Sequence, residues 1–399
     1  MNRKLAIIAF TSAVFSTNAA DDPPLEWIEP ATGHRVVRLS REPGTASFYF
    51  HQNGYTEAGD QLVVETPEGL ATIDLKTNQI TVVAPGRAAN VVVGRKSRQV
   101  FYRRGESVYA THLDTKATRE ITKLPERIRG GSGFAINSDE TLLAGSYVAG
   151  PRPTNNVPRE ARTGRARGGL EERWALHLPM QLYTIDVRSG TVNTFHPDTN
   201  WLNHVQFSPT DPSLIMFCHE GPWHKLDRIW TIRTNGTALQ KIHSRSMDME
   251  IAGHEFFGHD GKTIWYDLQT PKSGVFWLAG HVLATGEKIK YSVEREHWSV
   301  HYNVSPDGKL FAGDGGGPNS VANRSASGER LQSPGNGQWI YLFAPKDGKL
   351  VGERLVDLSK HDYNLEPNVT FTPDGKRIVF RSNMHGRTHV YAVDVTKAK

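Results

Sequence analysis

The chain has 399 residues, of which 22% are charged, so it is long enough to bury a large core. Its formal charge is +5 at pH 7, two charges of which come from Arg3 and Lys4, and so modest a balance argues against a nucleic-acid-binding protein. The single cysteine, Cys218, excludes an internal disulfide, and its place after the apolar run LIMF marks it as a buried structural thiol.

The chain opens with a basic start, Met1 to Lys4, then the apolar run LAIIAFTSAVF and the small residues Thr17, Asn18, Ala19 and Ala20. This pattern predicts a signal peptide over residues 1–20, cleaved after Ala19 or Ala20, and an exported protein, periplasmic or secreted. The apolar run is too short for a comfortable membrane span, and no later segment reaches that length, so no membrane insertion is expected after cleavage.

Past a short strand candidate, HRVVRLS (34–40), one pattern recurs: an apolar run, a tight polar turn and a second apolar run. In chain order it reads GYTEAGDQLVV (54–64), a weaker copy VVVGRKSRQVFYR (91–103), FAINSDETLLAG (134–145), FSPTDPSLIMF (207–217), EFFGHDGKTIWY (255–266), YNVSPDGKLFAG (302–313) and VTFTPDGKRIVF (369–380). The hairpins start roughly 42 to 50 residues apart, with two longer spacings of about 70 and 67 residues. Each is followed by another short apolar segment, such as LATIDLKT (70–77), LYTIDVRSG (182–190) or VYAVDVTK (390–397). Four strands per unit and seven units predict an all-β, seven-bladed β-propeller over residues 21–399, a radial repeat that avoids long exposed edges. The strand 34–40 is a candidate to join the C-terminal blade and fasten the ring. The long spacings place insertions near 146–180 and 315–338, rich in Pro, Gly and polar residues, at a rim or lid. The basic stretch RTGRARGG (162–169) reads as a loop, with contact to substrate at the rim as the alternative.

The chemistry gathers beside the hairpins. His204, His254, His301 and Asn368 stand at equivalent points of successive units, where inner strands face one central channel. His301, Glu366 and Asn368 offer imidazole, carboxylate and carboxamide oxygen, a set suited to a hard or borderline divalent ion. The competing reading makes Asn368 a strand cap, with Glu366 on a nearby base; His297 and His361 are reserve ligands. In CHEGPWHKLDRIW (218–230), Arg228 can grip a sugar carboxylate with two N–H groups or sit in a surface salt bridge. His254, beside Glu255, suits proton transfer. His204, His219, Trp223, Lys225 and Tyr302 are candidate substrate contacts, the aromatic faces serving sugar stacking or, alternatively, blade packing. Phosphate-loop, dinucleotide, serine-nucleophile and HExxH signatures are absent.

The stretches WLNHVQFSP (201–209), CHEGPWHKLDRIW (218–230), GHEFFGHDG (253–261) and HYNVSPDGKLFAGDG (301–315) resemble the oligogalacturonate lyases, a seven-bladed propeller family acting on pectin fragments, and the resemblance runs over roughly residues 30–396. It implies β-elimination from uronate oligosaccharides, with a divalent ion, commonly manganese, in the central cavity. It implies a metal role for His301, substrate contact for Arg228 and proton transfer for His254. Where the family offers two histidines separated by one residue, this chain has Glu366 and Asn368, and Tyr363 stands at the gapless position of a family glutamine. The alternatives are a noncatalytic carbohydrate- or protein-binding propeller and a glycoside hydrolase of acidic glycans, for which Glu220, Glu255 and Glu366 are available carboxylates.

Overall fold

The computed structural model describes residues 22–128, 132–150, 169–318, 320, 323 and 337–398. The expected signal peptide, most of the basic stretch 162–169 and much of both insertions lie outside the described residues. The chain is built almost wholly of antiparallel sheets. Strands buried on both faces carry unbroken apolar runs, as in Leu214–Glu220 and Arg377–Ser382. An outer strand such as Thr118–Lys123 is polar and largely exposed. The repeated turns have one mechanism. In SPDG, Ser305 Oγ donates to Asp307 Oδ1 at 2.6 Å and Gly308 takes φ +73°. In TPDG, Thr372 Oγ1 donates to Asp374 Oδ1 at 2.6 Å and Gly375 takes φ +70°. A left-handed backbone at that point is cheap only for glycine.

The sheets follow one another in chain order as consecutive antiparallel strands: 61–85, 89–123, 132–198, 201–241, an eight-stranded sheet covering 251–357, and a last one that mixes the two termini. The eight-stranded sheet is two four-stranded antiparallel sets joined only by a short parallel pairing, Ser292 with Lys349 and Val293 with Leu350. The N-terminal strand His34–Arg38 pairs antiparallel with His389–Lys397, as the sequence suggested, so the two ends of the chain share one sheet.

Buried clusters fill the spaces between neighbouring sheets. One joins 89–123 to 132–198 through Phe101, Val108, Leu143 and Tyr183. The next joins 132–198 to 201–241 through Leu182, Val205 and Phe217. The series returns to its start where Val37, Val379 and Val390 of the shared sheet pack on Leu62 and Ile73. This is an all-β, propeller-like ring closed by its own termini.

Inner strands of several sheets carry the same irregularity. The register slips between Asn203 and Gln206, and between Gly253 and Phe256. There His204 takes φ +46° and His254 φ +50°, and Asn368 takes φ +56° just ahead of its own inner strand. A positive φ is uncommon for residues other than glycine, and a bulge re-aims the side chain it carries. The repeats therefore spend backbone strain where the candidate site residues sit.

Candidate active site

A cavity of about 610 Å³ opens at one mouth of the ring, lined by Trp223, His254, Trp298, Tyr363 and Glu366 among others. His254 and His301 meet beside it, with ring centroids 4.8 Å apart in an edge-on arrangement. Trp223 packs edge-on against His254 at 5.0 Å. Trp223 in turn lies on the backbone of Gly253: a Cβ there would stand 2.3 Å from the indole ring, so the contact requires glycine.

The two histidines are tuned in opposite directions. Burial pushes the pKa of His254 down, and Asp267 restores only part of the shift, so its imidazole is held neutral. The Asp267 carboxylate lies 3.9 Å from His254 Nδ1 and is fixed by Trp298 Nε1, which donates to it at 2.7 Å. For His301, burial also opposes charge, but Asp314 and Glu366 outweigh it and raise the pKa. Asp314 grips His301 twice, accepting from the backbone N–H at 2.8 Å and pairing with Nδ1 at 2.7 Å. That leaves Nε2 facing Tyr49 Oη at 3.2 Å and Glu366 Oε2 at 3.9 Å.

These donors fit a divalent cation. A carboxylate fixes the far nitrogen of His301, the usual support for a metal-bound imidazole. A second carboxylate, half-exposed on Glu366, converges on the near nitrogen, and the surroundings favour positive charge there. Asn368 does not join them. Its Oδ1 accepts from the Phe50 N–H at 3.1 Å and its Nδ2 donates to the Glu366 carbonyl at 3.0 Å. It is fully buried and anchors the segment that carries Glu366, so the expectation of a ligand is corrected to a structural role.

Arg228 is almost wholly buried rather than in a surface salt bridge. Its Nη1 donates to Glu220 Oε1 at 2.7 Å, its Nε donates to Glu255 Oε2 at 3.0 Å, and the guanidinium lies 4.5 Å from the Trp223 ring centroid. Burial opposes the charge of Arg228, but the neighbouring acidic groups more than offset it and keep the group a cation. His204 closes the cluster, its Nε2 3.3 Å from Glu220 Oε2. Cys218, fully buried nearby, has its thiol pKa pushed up by burial and stays protonated. Although His204, Cys218 and Glu220 stand close enough to share an ion, a neutral thiol and an Arg-paired carboxylate make poor ligands.

Three other sequence candidates fall elsewhere. Tyr302 is buried, accepts from the Ser299 N–H at 3.0 Å and packs on Phe343, so it belongs to the core. Lys225 is exposed outside the cavity lining, paired with Glu171. His219 points to the opposite face of its strand from Glu220, toward Asp198 of the preceding sheet. Both reserve histidines are also accounted for away from the proposed ligands. His361 bonds Ser382 Oγ and the Leu365 carbonyl, and His297 packs against Tyr341. Sequence reasoning missed Tyr49, Asp267 and Asp314. A lone Asp ahead of GGG, at 314, was the only available signal for one of them.

A family model described as oligogalacturonate lyase matches residues 26–399. An oligogalacturonide lyase of Pectobacterium atrosepticum is 24% identical over 395 residues, covering 92% of this chain and 95% of its own. An oligogalacturonate lyase of Dickeya dadantii is 24% identical over 393 residues with the same coverage. The solved structure of an oligogalacturonate lyase in complex with manganese shares the fold with a TM-score of 0.78, at 24% identity, over 93% of this chain and 96% of that one. The chain belongs to the oligogalacturonate lyase family and is a lyase.

Proposed function

We propose that this lyase cleaves galacturonate-type oligosaccharides by metal-assisted β-elimination at the cavity lined by His254 and Glu366, with His301 packed beside it. The observation that carries the reading is the meeting of two histidines, His254 and His301, with ring centroids 4.8 Å apart, the Glu366 carboxylate 3.9 Å from His301 Nε2 and the Asp267 carboxylate 3.9 Å from His254 Nδ1. One is kept neutral and able to accept a proton, while the other sits where positive charge is favoured. Elimination from a uronate needs both at once: a base for the C5 proton and positive charge on the C6 carboxylate that acidifies it.

His301 and Glu366 would hold the cation. A divalent ion there, manganese by analogy with the solved relative, supplies charge that neutralises the substrate carboxylate. Arg228 adds a fixed cation, with guanidinium N–H groups beyond the two that bind Glu220 and Glu255. His254 takes the C5 proton; the C5–H electron pair becomes the C4–C5 double bond, the C4–O4 bond breaks, and O4 takes a proton from solvent in the open cavity. Asp267 faces His254 Nδ1 across 3.9 Å and stabilises the imidazolium by charge once the proton has moved, and Trp223 walls the site and offers an aromatic face to the sugar, with His204 positioned behind Glu220. The products are a 4,5-unsaturated uronate end and a saturated fragment.

Seven blades are part of the same proposal. Division of the eight-stranded sheet at its short parallel seam supports the count, as do the buried clusters found between each successive pair of strand sets. We also place the protein outside the cytoplasm, on the N-terminal pattern of residues 1–20. Among the described residues no helix is long and apolar enough to cross a membrane.

The test incubates manganese-loaded protein with galacturonate oligomers and follows the ultraviolet absorbance of the conjugated, unsaturated product. A rise that requires the protein supports the proposal. Cleavage without that absorbance would make the protein a hydrolase, and intact oligomers would leave it a binding propeller.

A further inference from the structure

A second cluster of metal-ligand chemistry lies outside the central cavity, in the crevice between two adjacent sheets. It comprises His196 and Asp198 at the end of the outer strand Val192–Asp198, and His219 on Leu214–Glu220 of the next sheet. Their ligand atoms all lie within 4.8 Å of one another. Asp198 Oδ2 stands 3.3 Å from His219 Nε2 and 3.6 Å from His196 Nε2. An ion with bonds of about 2.0–2.2 Å in tetrahedral geometry holds its donors roughly 3.4 Å apart, which the two Asp198 separations match.

Three further observations favour an ion over a plain ion pair. Both Nε2 atoms are buried and neither makes a hydrogen bond: Asp198 Oδ2 is too far from His196 Nε2 at 3.6 Å, and its 3.3 Å approach to His219 Nε2 lacks hydrogen-bond geometry. Unpaired buried nitrogens are costly and uncommon. Second, Asp198 is already held in place: its Oδ1 accepts from both the backbone N–H and the side-chain Nδ2 of Asn200, each at 2.9 Å, which leaves Oδ2 aimed at the two rings. Third, His196 takes φ +52° where the strand slips register against Met180–Asp186, so strain is spent on its placement. The rings are packed as well as aimed, His196 against Phe217 at 5.2 Å and His219 against Trp230 at 5.0 Å.

We infer that His196, Asp198 and His219 form a site for a borderline divalent cation of the zinc type, which clips the two sheets together. Two imidazoles and one carboxylate suit such an ion and leave a position for water. The site is independent of the central one. It would act on catalysis only by position, because His219 immediately precedes Glu220, the carboxylate that holds Arg228.

The test uses the full folded protein, stripped with chelator, and zinc ion alone as the probe. Equilibrium dialysis with metal analysis is run on wild type, on His301→Gln to remove the central site, and on Asp198→Asn and His196→Gln in that His301→Gln background. The inference expects His301→Gln to retain one zinc per chain, and both double variants to lose it with their circular dichroism unchanged. It also expects zinc to raise the melting temperature of His301→Gln but not of the double variants. Zinc content and melting shift equal in all three would overturn it. Should the double variants fail to fold, cobalt substitution of His301→Gln decides. An intense visible absorption of tetrahedral type supports the site; only the weak spectrum of hydrated cobalt refutes it.

Discussion

His254 concentrates the chemical claim in one side chain. Its replacement by alanine should lower kcat by about 10²–10⁴-fold, the usual contribution of a positioned general base, while the circular dichroism stays that of the wild type. Near-normal turnover would remove it from the base role. The protonated imidazole cannot accept a proton, so activity should rise with pH through its pKa, which burial holds below the ordinary value of 6.5. Asp267 works against that depression. Asp267→Asn should therefore move the acid limb of kcat/KM to lower pH and reduce its plateau; a limb that moved upward would contradict the assignment. Arg228 carries a different risk. Truncation to alanine strands Glu220 and Glu255 in the interior, so Arg228→Ala should cost about 3–5 kcal/mol in chemical denaturation as well as activity.

At the scale of strands and turns, the inner-strand bulges decide which residues reach the cavity. His204 and His254 were legible in the sequence because the repeat places them at equivalent points, and period-two alternation then says they share an axis. Asn368 was legible by the same logic yet performs a different task, because its carboxamide satisfies backbone groups of Phe50 and Glu366 that the repeat pattern does not display. His219 shows the opposite failure. It adjoins Glu220, but successive residues of a strand face opposite ways, so the cluster 218–230 could not all serve one site. Tyr49 comes from a segment with no motif of its own and meets the site only through ring closure, whereas Asp267 and Asp314 reach their histidines across the same hairpins, Asp267 pairing with Gly253 and Asp314 following Gly313, the partner of Tyr302. The Trp223–Gly253 contact is likewise invisible in sequence. Gly253→Ala should push the indole away, lower the melting temperature by the equivalent of about 1–3 kcal/mol of overpacking, and reduce kcat/KM. Unchanged stability and activity would show that Trp223 has room to move.

The whole molecule was the most legible level, since hairpins recurring at a near-constant spacing have few solutions other than a ring of sheets. Its histidines give that ring a pH dependence. His281 is buried beside Lys288 and His243, and burial first, then the charge of Lys288, lower its pKa to about 4. His51, His243, His259 and His361 are depressed in the same direction, chiefly by burial. A histidine that binds its proton less readily when folded favours the folded state above its unfolded pKa. That advantage is lost as pH falls from about 6.5 through the folded value. Calorimetry should show the melting temperature falling between pH 7.5 and 5, with a shallower fall in His281→Gln; a flat profile would contradict this linkage. The central claim is that the protein eliminates rather than hydrolyses. It is tested most directly by cleaving a galacturonate oligomer in water labelled with heavy oxygen and weighing the fragments. Elimination predicts two fragments whose unlabelled masses add to that of the substrate, with no label beyond the slow reducing-end exchange that oligomers undergo without the protein. A labelled oxygen at the cleaved bond, and fragments heavier by one water, would contradict it.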